Sequence, residues 1–286
     1  MIERIAILGT GLLGTSVGLA LRAAGFKGQI AGWNRSADQA QTALEMGAID
    51  SVAGDALAAA RASQVVLLAM PIYATLDYMA QLACILGSEH LVTDVGSTKR
   101  LIAESAARLY NTPERAAFLP GHPMAGKERG GAALGAPDLF RRAVWLFTDD
   151  PEARRSPHSA ALVKGWREWV AAMGARVLDL DPMRHDELVA WVSHLPQFAA
   201  TALSAVLEDE VGDAPELKDV GGRALREMTR LGASPFSMWR DIAYTNTDAV
   251  ERALLKLEQR LAHLRENLRT PELRSEFERA NRFRRE

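Results

Sequence analysis

The sequence predicts a doubly wound, mainly parallel α/β sheet followed by an all-helical C-terminal domain. Three observations carry this expectation. From Ile5 to Leu180, short β-rich apolar runs alternate with helical patterns; a glycine-rich turn joins the first such strand to the first helix; and after Asp181-Pro182 the strand signal stops. The 286 residues accommodate two moderate domains, each able to bury a core. The boundary is placed at that change of pattern, giving domains 1–181 and 182–286.

In order, the first region reads IAILG, LLGTSVGLALRAA, QIAGWN, ADQAQTALEMG, QVVLLAM, TLDYMAQLACIL, HLVTDVG, KRLIAESAARLY, FLPGHP, VWLFTDD, SAALVKGWREWVAAMG and RVLDL. Strands separated by helices of this length require right-handed crossovers, which place helices on both faces of one sheet. FLPGHP is read as a single strand. The second region reads as helix broken at Gly212, Pro215, Gly221-Gly222 and Ser234-Pro235. Its final long helix sets Val250, Leu254, Leu257, Leu261, Leu264 and Leu268 at alternating four- and three-residue steps, the spacing of a helix–helix seam. The partner helix lies either within the domain or across a dimer. No further element is predicted after that helix.

Composition narrows the function classes. Acidic residues (36) nearly balance basic ones (34), so no broad positive field exists to hold nucleic acid or an anionic membrane. The longest apolar runs are strand-sized and Met1 leads directly into a strand pattern, so a cytoplasmic protein is expected. The single cysteine, Cys84, excludes an intrachain disulfide, fits a reducing compartment and is read as buried filler. No metal site is assigned.

Gly9-Thr10-Gly11-Leu12-Leu13-Gly14 follows the first strand and opens the first helix. In such a turn the first glycine permits the tight bend, the second lets backbone approach a pyrophosphate, and the third allows close helix–strand packing. The phosphate then meets the positive end of the helix. With a strand before it, a helix after it and a second strand at the expected distance, the turn points to a Rossmann-type sheet that binds a dinucleotide, the alternative being a merely structural glycine turn. At the end of the second strand, where NAD-binding chains carry a carboxylate for the ribose, this one reads Asn34-Arg35-Ser36. Those side chains hydrogen-bond a 2′-phosphate and Arg35 offsets its charge, so NADP is favoured over NAD. The alternative is that Arg35 is a solvated loop residue and Asn34 serves an unphosphorylated ribose. Met70 and Pro71, closing the QVVLLAM strand, are assigned to the cofactor as well.

Two further segments end strands on the ligand-binding side of such a sheet, Asp94-Val-Gly-Ser97-Thr-Lys99 and Gly121-His122-Pro-Met-Ala-Gly126. A hydroxyl and an imidazole can thus meet near the nicotinamide. Taken alone, Ser97 could instead cap the helix beginning at Lys99, and His122 could be structural.

The segments GTGLLGTSVGLAL, DVGSTK, GHPMAG-x-E, DELVAWVSHLP and MTRLGASPFSMWRDI occur in the order in which they stand in the prephenate and arogenate dehydrogenases of tyrosine biosynthesis, and the chain resembles that family over nearly its whole length. The resemblance implies NAD(P)-dependent oxidative decarboxylation, a homodimer, and roles for particular residues. His122 takes the position of the catalytic histidine, and Ser97 that of the serine bound to the same substrate hydroxyl. Arg230 matches the arginine that grips the ring carboxylate, Glu128 an acidic residue near the pocket entrance, and Trp239 a tryptophan near the pocket. His194 and Gln197 fall in the segment that faces the substrate side chain. The chemistry suits these types, because hydride loss from C4 requires a near-neutral base on the C4 hydroxyl, and a guanidinium fork fits a carboxylate.

The sequence departs from the family pattern around the side-chain pocket. Many relatives read SHLPH where this chain reads Ser193-His194-Leu-Pro196-Gln197, Lys127 replaces a small polar residue, and Arg223 stands where some have a third glycine. Pointing inward, Lys127 and Arg223 would repel an ammonium and favour prephenate, while Gln197 can present either end of its amide. Two other readings stay open. A β-hydroxyacid dehydrogenase would need a catalytic lysine in the helical domain, for which Lys164, Lys218 and Lys256 have no convincing setting. A nicotinamide sensor without turnover would leave Ser97, His122 and Arg230 unexplained.

Overall fold

The computed structural model describes residues 1–285, and the side chain of Lys218 lies outside what it describes. The chain divides into two compact units, Met1–Leu188 with Ala233–Thr245, and Val189–Gly232 with the segment from Asn246 onward.

The first unit contains β1 (Arg4–Leu8), α1 (Leu12–Ala23), β2 (Gln29–Trp33), α2 (Ala37–Glu45), β3 (Ser51–Val52), α3 (Ala56–Arg61), β4 (Val65–Leu68), α4 (Ile72–Ala83), β5 (Leu91–Asp94), α5 (Arg100–Leu109) and β6 (Ala117–Leu119). It continues with β7 (Gly121–Pro123), β8 (Val144–Phe147), α6 (Pro157–Ala172), β9 (Arg176–Asp179) and most of α7 (Pro182–Val189). Six strands form a parallel sheet in the order β3-β2-β1-β4-β5-β6, with Ile5 in register between Ile30 and Val65. Alternate residues of β1 and β4 serve opposite faces, as strand geometry dictates. Ile5, Ile7, Val65 and Leu67 pack with Val17 and Leu21 of α1 and Trp166 of α6. Ala6, Leu8, Val66 and Leu68 pack with Ala59 of α3, Met79 and Leu82 of α4, and Ile102 of α5. This is the doubly wound Rossmann-type sheet the sequence predicts, and its chain order reverses between β1 and β4, where such folds bind ligands.

FLPGHP is not one strand. Pro120 has a fixed φ and no N–H for the ladder, so β6 ends at Leu119 and Gly121–Pro123 starts a second sheet, β7-β8-β9. There β7 is antiparallel to β8 and β8 parallel to β9, so VWLFTDD and RVLDL also leave the main sheet. Cys84 is exposed, not buried, at the carboxyl end of α4, where its thiol faces the Ala80 carbonyl.

Helix α11 (Phe236–Thr245) belongs to the first unit although it lies far along the chain. The second unit is helical: a π-helical turn Ala190–His194, α8 (Leu195–Val211), α9 (Leu217–Val220), α10 (Arg223–Thr229), α12 (Thr247–Glu266) and α13 (Glu272–Arg285). The predicted seam is α12, which packs on α8 with Val250 and Ala253 buried, whereas Leu261 stays exposed and Leu268 lies beyond the helix end. Helix α13 escapes the sequence pattern because it buries no residue. Its charges pair through Arg274–Glu278 on its own surface and Arg260–Glu276 to α12 at 2.7 Å. Among the described residues no helix is long and apolar enough to cross a membrane.

Candidate active site

The glycine loop is built as its sequence requires. Gly9 has φ +108°, and a Cβ there would stand 2.2 Å from the Ala69 carbonyl oxygen, so the β1 turn passes directly over the end of β4. A Cβ on Gly14 would stand 2.0 Å from the Gly9 oxygen, while one on Gly11 would meet nothing within 4 Å. The loop is therefore closed on the protein side and open on the ligand side. Gly11 caps α1 without a side-chain bond, which leaves the amides of the turn containing Leu12 and Leu13 for an anion. The buried Thr10 hydroxyl has no hydrogen-bond partner among the described residues. These features fit the diphosphate of a dinucleotide.

The neighbouring strand ends complete that side of the sheet. Met70 is half-buried and Pro71 exposed where β4 passes into α4. Beyond β2, the Asn34 side-chain oxygen accepts from the Ser36 amide at 3.0 Å, which shapes the turn, and Arg35 and Ser36 are exposed.

At the end of β5, a buried ion pair organises the next two loops. Lys99 Nζ lies 2.5 Å from Asp94 Oδ2, and neither side chain has solvent exposure. The same carboxylate accepts from the Gly96 amide at 2.7 Å and from the Gly121 amide at 3.0 Å. Burial pulls the Lys99 ammonium below its ordinary pKa, and the Asp94 charge opposes that. Asp94 thereby fixes the half-buried Ser97 loop and the loop of His122 against one another. Ser97 is not a helix cap: the cap position is Lys99, and no side chain of that segment serves it. Thr98 Oγ1 and Thr245 Oγ1 lie 2.7 Å apart, tying the same loop to α11.

His122, on β7, is 7% exposed. Its Nδ1 lies 2.9 Å from Nε2 of His185 on α7, with the rings tilted by 60°. His185 Nδ1 lies 2.8 Å from Oδ1 of Asp186. The Asp186 carboxylate in turn accepts from the amides of Lys99 at 2.7 Å and Arg100 at 3.0 Å, at the positive end of α5. His185 is fully buried, and desolvation pushes its pKa down despite the bond to Asp186. Sequence reasoning missed Asp94, Lys99, His185 and Asp186. The available signal was an adjacent His-Asp pair just inside a helix whose next turn is apolar, a place where an unpartnered charge is costly.

Of the other candidates, Glu128 is half-buried in the loop between β7 and β8, and Trp239 of α11 packs half-buried against the apolar cluster of the α3, α4 and α5 face. The second unit contains the rest. His194 is buried in the π-helical turn, its Nδ1 3.4 Å from Asn246 Nδ2. Gln197 is buried, and its Nε2 donates to the Leu231 carbonyl at 2.7 Å, next to the exposed Arg230. Neither expected repelling cation holds an inward position. Lys127 is exposed and donates to the Leu134 carbonyl at 2.7 Å, and Arg223 is 88% exposed and paired with Glu227 at 2.6 Å.

Residues 17–178 match the family described as prephenate dehydrogenase, nucleotide-binding domain, and residues 181–281 the family described as prephenate dehydrogenase, dimerization domain. The prephenate dehydrogenase of Bacillus subtilis is 31% identical over 252 residues, a match covering 87% of this chain and 66% of that protein. The chain thus spans just under two thirds of that relative's length. Among solved structures, the prephenate dehydrogenase of Aquifex aeolicus in complex with hydroxyphenyl propionate and NAD+ superposes with a TM-score of 0.86 at 28% identity, over 99% of this chain and 98% of that one. Arogenate dehydrogenase of Synechocystis gives 0.75 at 28% identity, over 98% of each chain. The two family matches lie end to end along a fold that carries the glycine loop and the buried histidine, and the chain belongs to the prephenate dehydrogenase family.

Proposed function

We propose that this protein catalyses the NAD(P)-dependent oxidative decarboxylation of prephenate to 4-hydroxyphenylpyruvate, of arogenate to tyrosine, or of both, in tyrosine biosynthesis. The observation that carries this reading is His122, a buried imidazole tied through His185 to the Asp186 carboxylate on the strand-end side where the glycine loop opens. The Gly9–Gly14 turn would hold the dinucleotide, whose nicotinamide would supply the acceptor for the hydride lost from C4. His122 takes the proton of the C4 hydroxyl, and Ser97 hydrogen-bonds that hydroxyl to aim it. Arg230 holds the ring carboxylate, whose departure as CO2 leaves the aromatic ring, so the protein's task is alignment of base, hydroxyl and carboxylate. We assign Glu128, Trp239, His194 and Gln197 to the substrate side. Family membership sets the β-hydroxyacid dehydrogenase reading aside, and turnover separates an enzyme from a sensor.

NADP is the cofactor we favour, supported by the exposed Arg35 and the lack of a carboxylate just after β2. The Aquifex relative was solved with NAD+, so both forms belong in any assay. For the substrate, the Gln197 amide nitrogen donates to the Leu231 carbonyl and to Thr201 Oγ1, and Lys127 and Arg223, bonded to the Leu134 carbonyl and to Glu227, give no support to prephenate alone. We read residues 1–181 as the nucleotide domain and 182–286 as the part that binds substrate and forms a homodimer. The description of the second family match and the exposed Leu261 on the α12 seam support the dimer. The single cysteine fits the cytoplasm.

The test is to supply prephenate or arogenate with each oxidised cofactor and measure reduced cofactor and CO2 together. Equimolar formation of the two supports the reading. Absence of both, from protein that binds the cofactor, overturns it.

A further inference from the structure

We infer that His185 and Asp186 are positioning residues that hold His122 in one tautomer, with the proton on Nδ1 and the lone pair on Nε2. This rests on the role proposed above for His122 as the base.

The direction of the hydrogen bonds follows from their far end. Asp186 receives two backbone N–H groups from the start of α5, and a carboxylate has only acceptors to offer, so His185 Nδ1 must be the donor to Oδ1. His185 has no exposure, and Lys99 adds a repelling positive charge to the cost of burial, so it is held neutral against the pull of Asp186 and Asp94. A neutral ring that donates from Nδ1 can only accept at Nε2. His122 Nδ1, 2.9 Å away, therefore donates, and His122 Nε2 is the nitrogen that can take a proton. Were the order reversed, Nε2 of His122 would already carry hydrogen and the base would be lost. Once His122 is protonated, the same chain accepts from the imidazolium and stabilises it.

Three readouts test this. Two-bond proton–nitrogen spectra of the histidine rings should show neutral His122 of the wild type as the Nδ1–H form. Asp186→Leu removes the acceptor that fixes His185 as the Nδ1 donor, so nothing holds the order of the chain. In that variant the Nε2–H form of His122 should appear, kcat should fall about a hundredfold or more, as when a catalytic histidine loses its orienting carboxylate, and the acid limb of the kcat/KM profile should move to lower pH with cofactor Kd unchanged. Finally, His185→Gln, which still offers an acceptor, should keep more kcat than the apolar His185→Leu, whereas a packing role would favour Leu. An Nε2–H His122 in the wild type overturns the proposal, as does a folded Asp186→Leu with wild-type tautomer and pH limb. If Asp186→Leu does not fold, the wild-type spectrum decides. Failure of the wild type to turn over either substrate would count against the function proposed above, and the spectrum would still decide this inference separately.

Discussion

The Asp94 carboxylate and the Lys99 ammonium, 2.5 Å apart with neither exposed, join the end of β5 to the loop that carries His122. Breaking such a pair leaves a buried charge without its counter-ion, which costs about 3–5 kcal/mol. Asp94→Ala should therefore lower stability by that amount in urea unfolding. Asp94→Ala combined with Lys99→Met should cost less than the two single changes summed, because the double variant strands no charge. Strict additivity would mean the pair does not couple.

Arg35 is predicted to discriminate between cofactors. Arg35→Ala should weaken NADP binding by about 1–3 kcal/mol, the scale of a charge-assisted contact, and leave NAD binding nearly unchanged. Titration with both cofactors checks this, and equal losses would remove Arg35 from the phosphate role.

His185 gives the protein an acid-side weakness. Its folded pKa lies below the ordinary histidine value of about 6.5, so between the two values the unfolded chain binds a proton that the folded chain does not. Stability contributed by this site is complete above about pH 6.5 and declines as pH falls, at up to about 1.4 kcal/mol per pH unit. Urea midpoints at mildly acidic and neutral pH should differ less in His185→Gln than in the wild type. An identical difference would show that His185 is not the group responsible.

The parts of this site visible in the sequence are those whose function depends on a local pattern. The Gly9–Gly14 turn is legible because each glycine answers a steric demand within a few residues, and the parallel, doubly wound character of the sheet follows from alternating strands and helices. The His122–His185 contact joins positions 63 apart and becomes visible only when α7 is placed beside β7. Helix α13 has no apolar stripe to betray it, and the break at Pro120 lies inside a run whose apolar character reads straight through. Lys127 and Arg223 are visible as charges, but their direction depends on the Leu134 carbonyl and on Glu227.

Substrate choice should respond to Gln197. Adding a carboxylate with Gln197→Glu gives an ammonium a partner, so the ratio of kcat/KM for arogenate over prephenate should rise about tenfold or more, as one charge-assisted contact of about 1.4 kcal/mol allows. An unmoved ratio would place the discriminating contact elsewhere.

The measurement closest to the central claim is turnover by His122→Asn alongside the wild type, with cofactor affinity determined separately. Removal of the base should lower kcat by at least about a hundredfold, the lower end of what a positioned acid or base contributes, and leave cofactor Kd unchanged. A His122→Asn protein that turns over prephenate or arogenate at the wild-type rate would contradict the account.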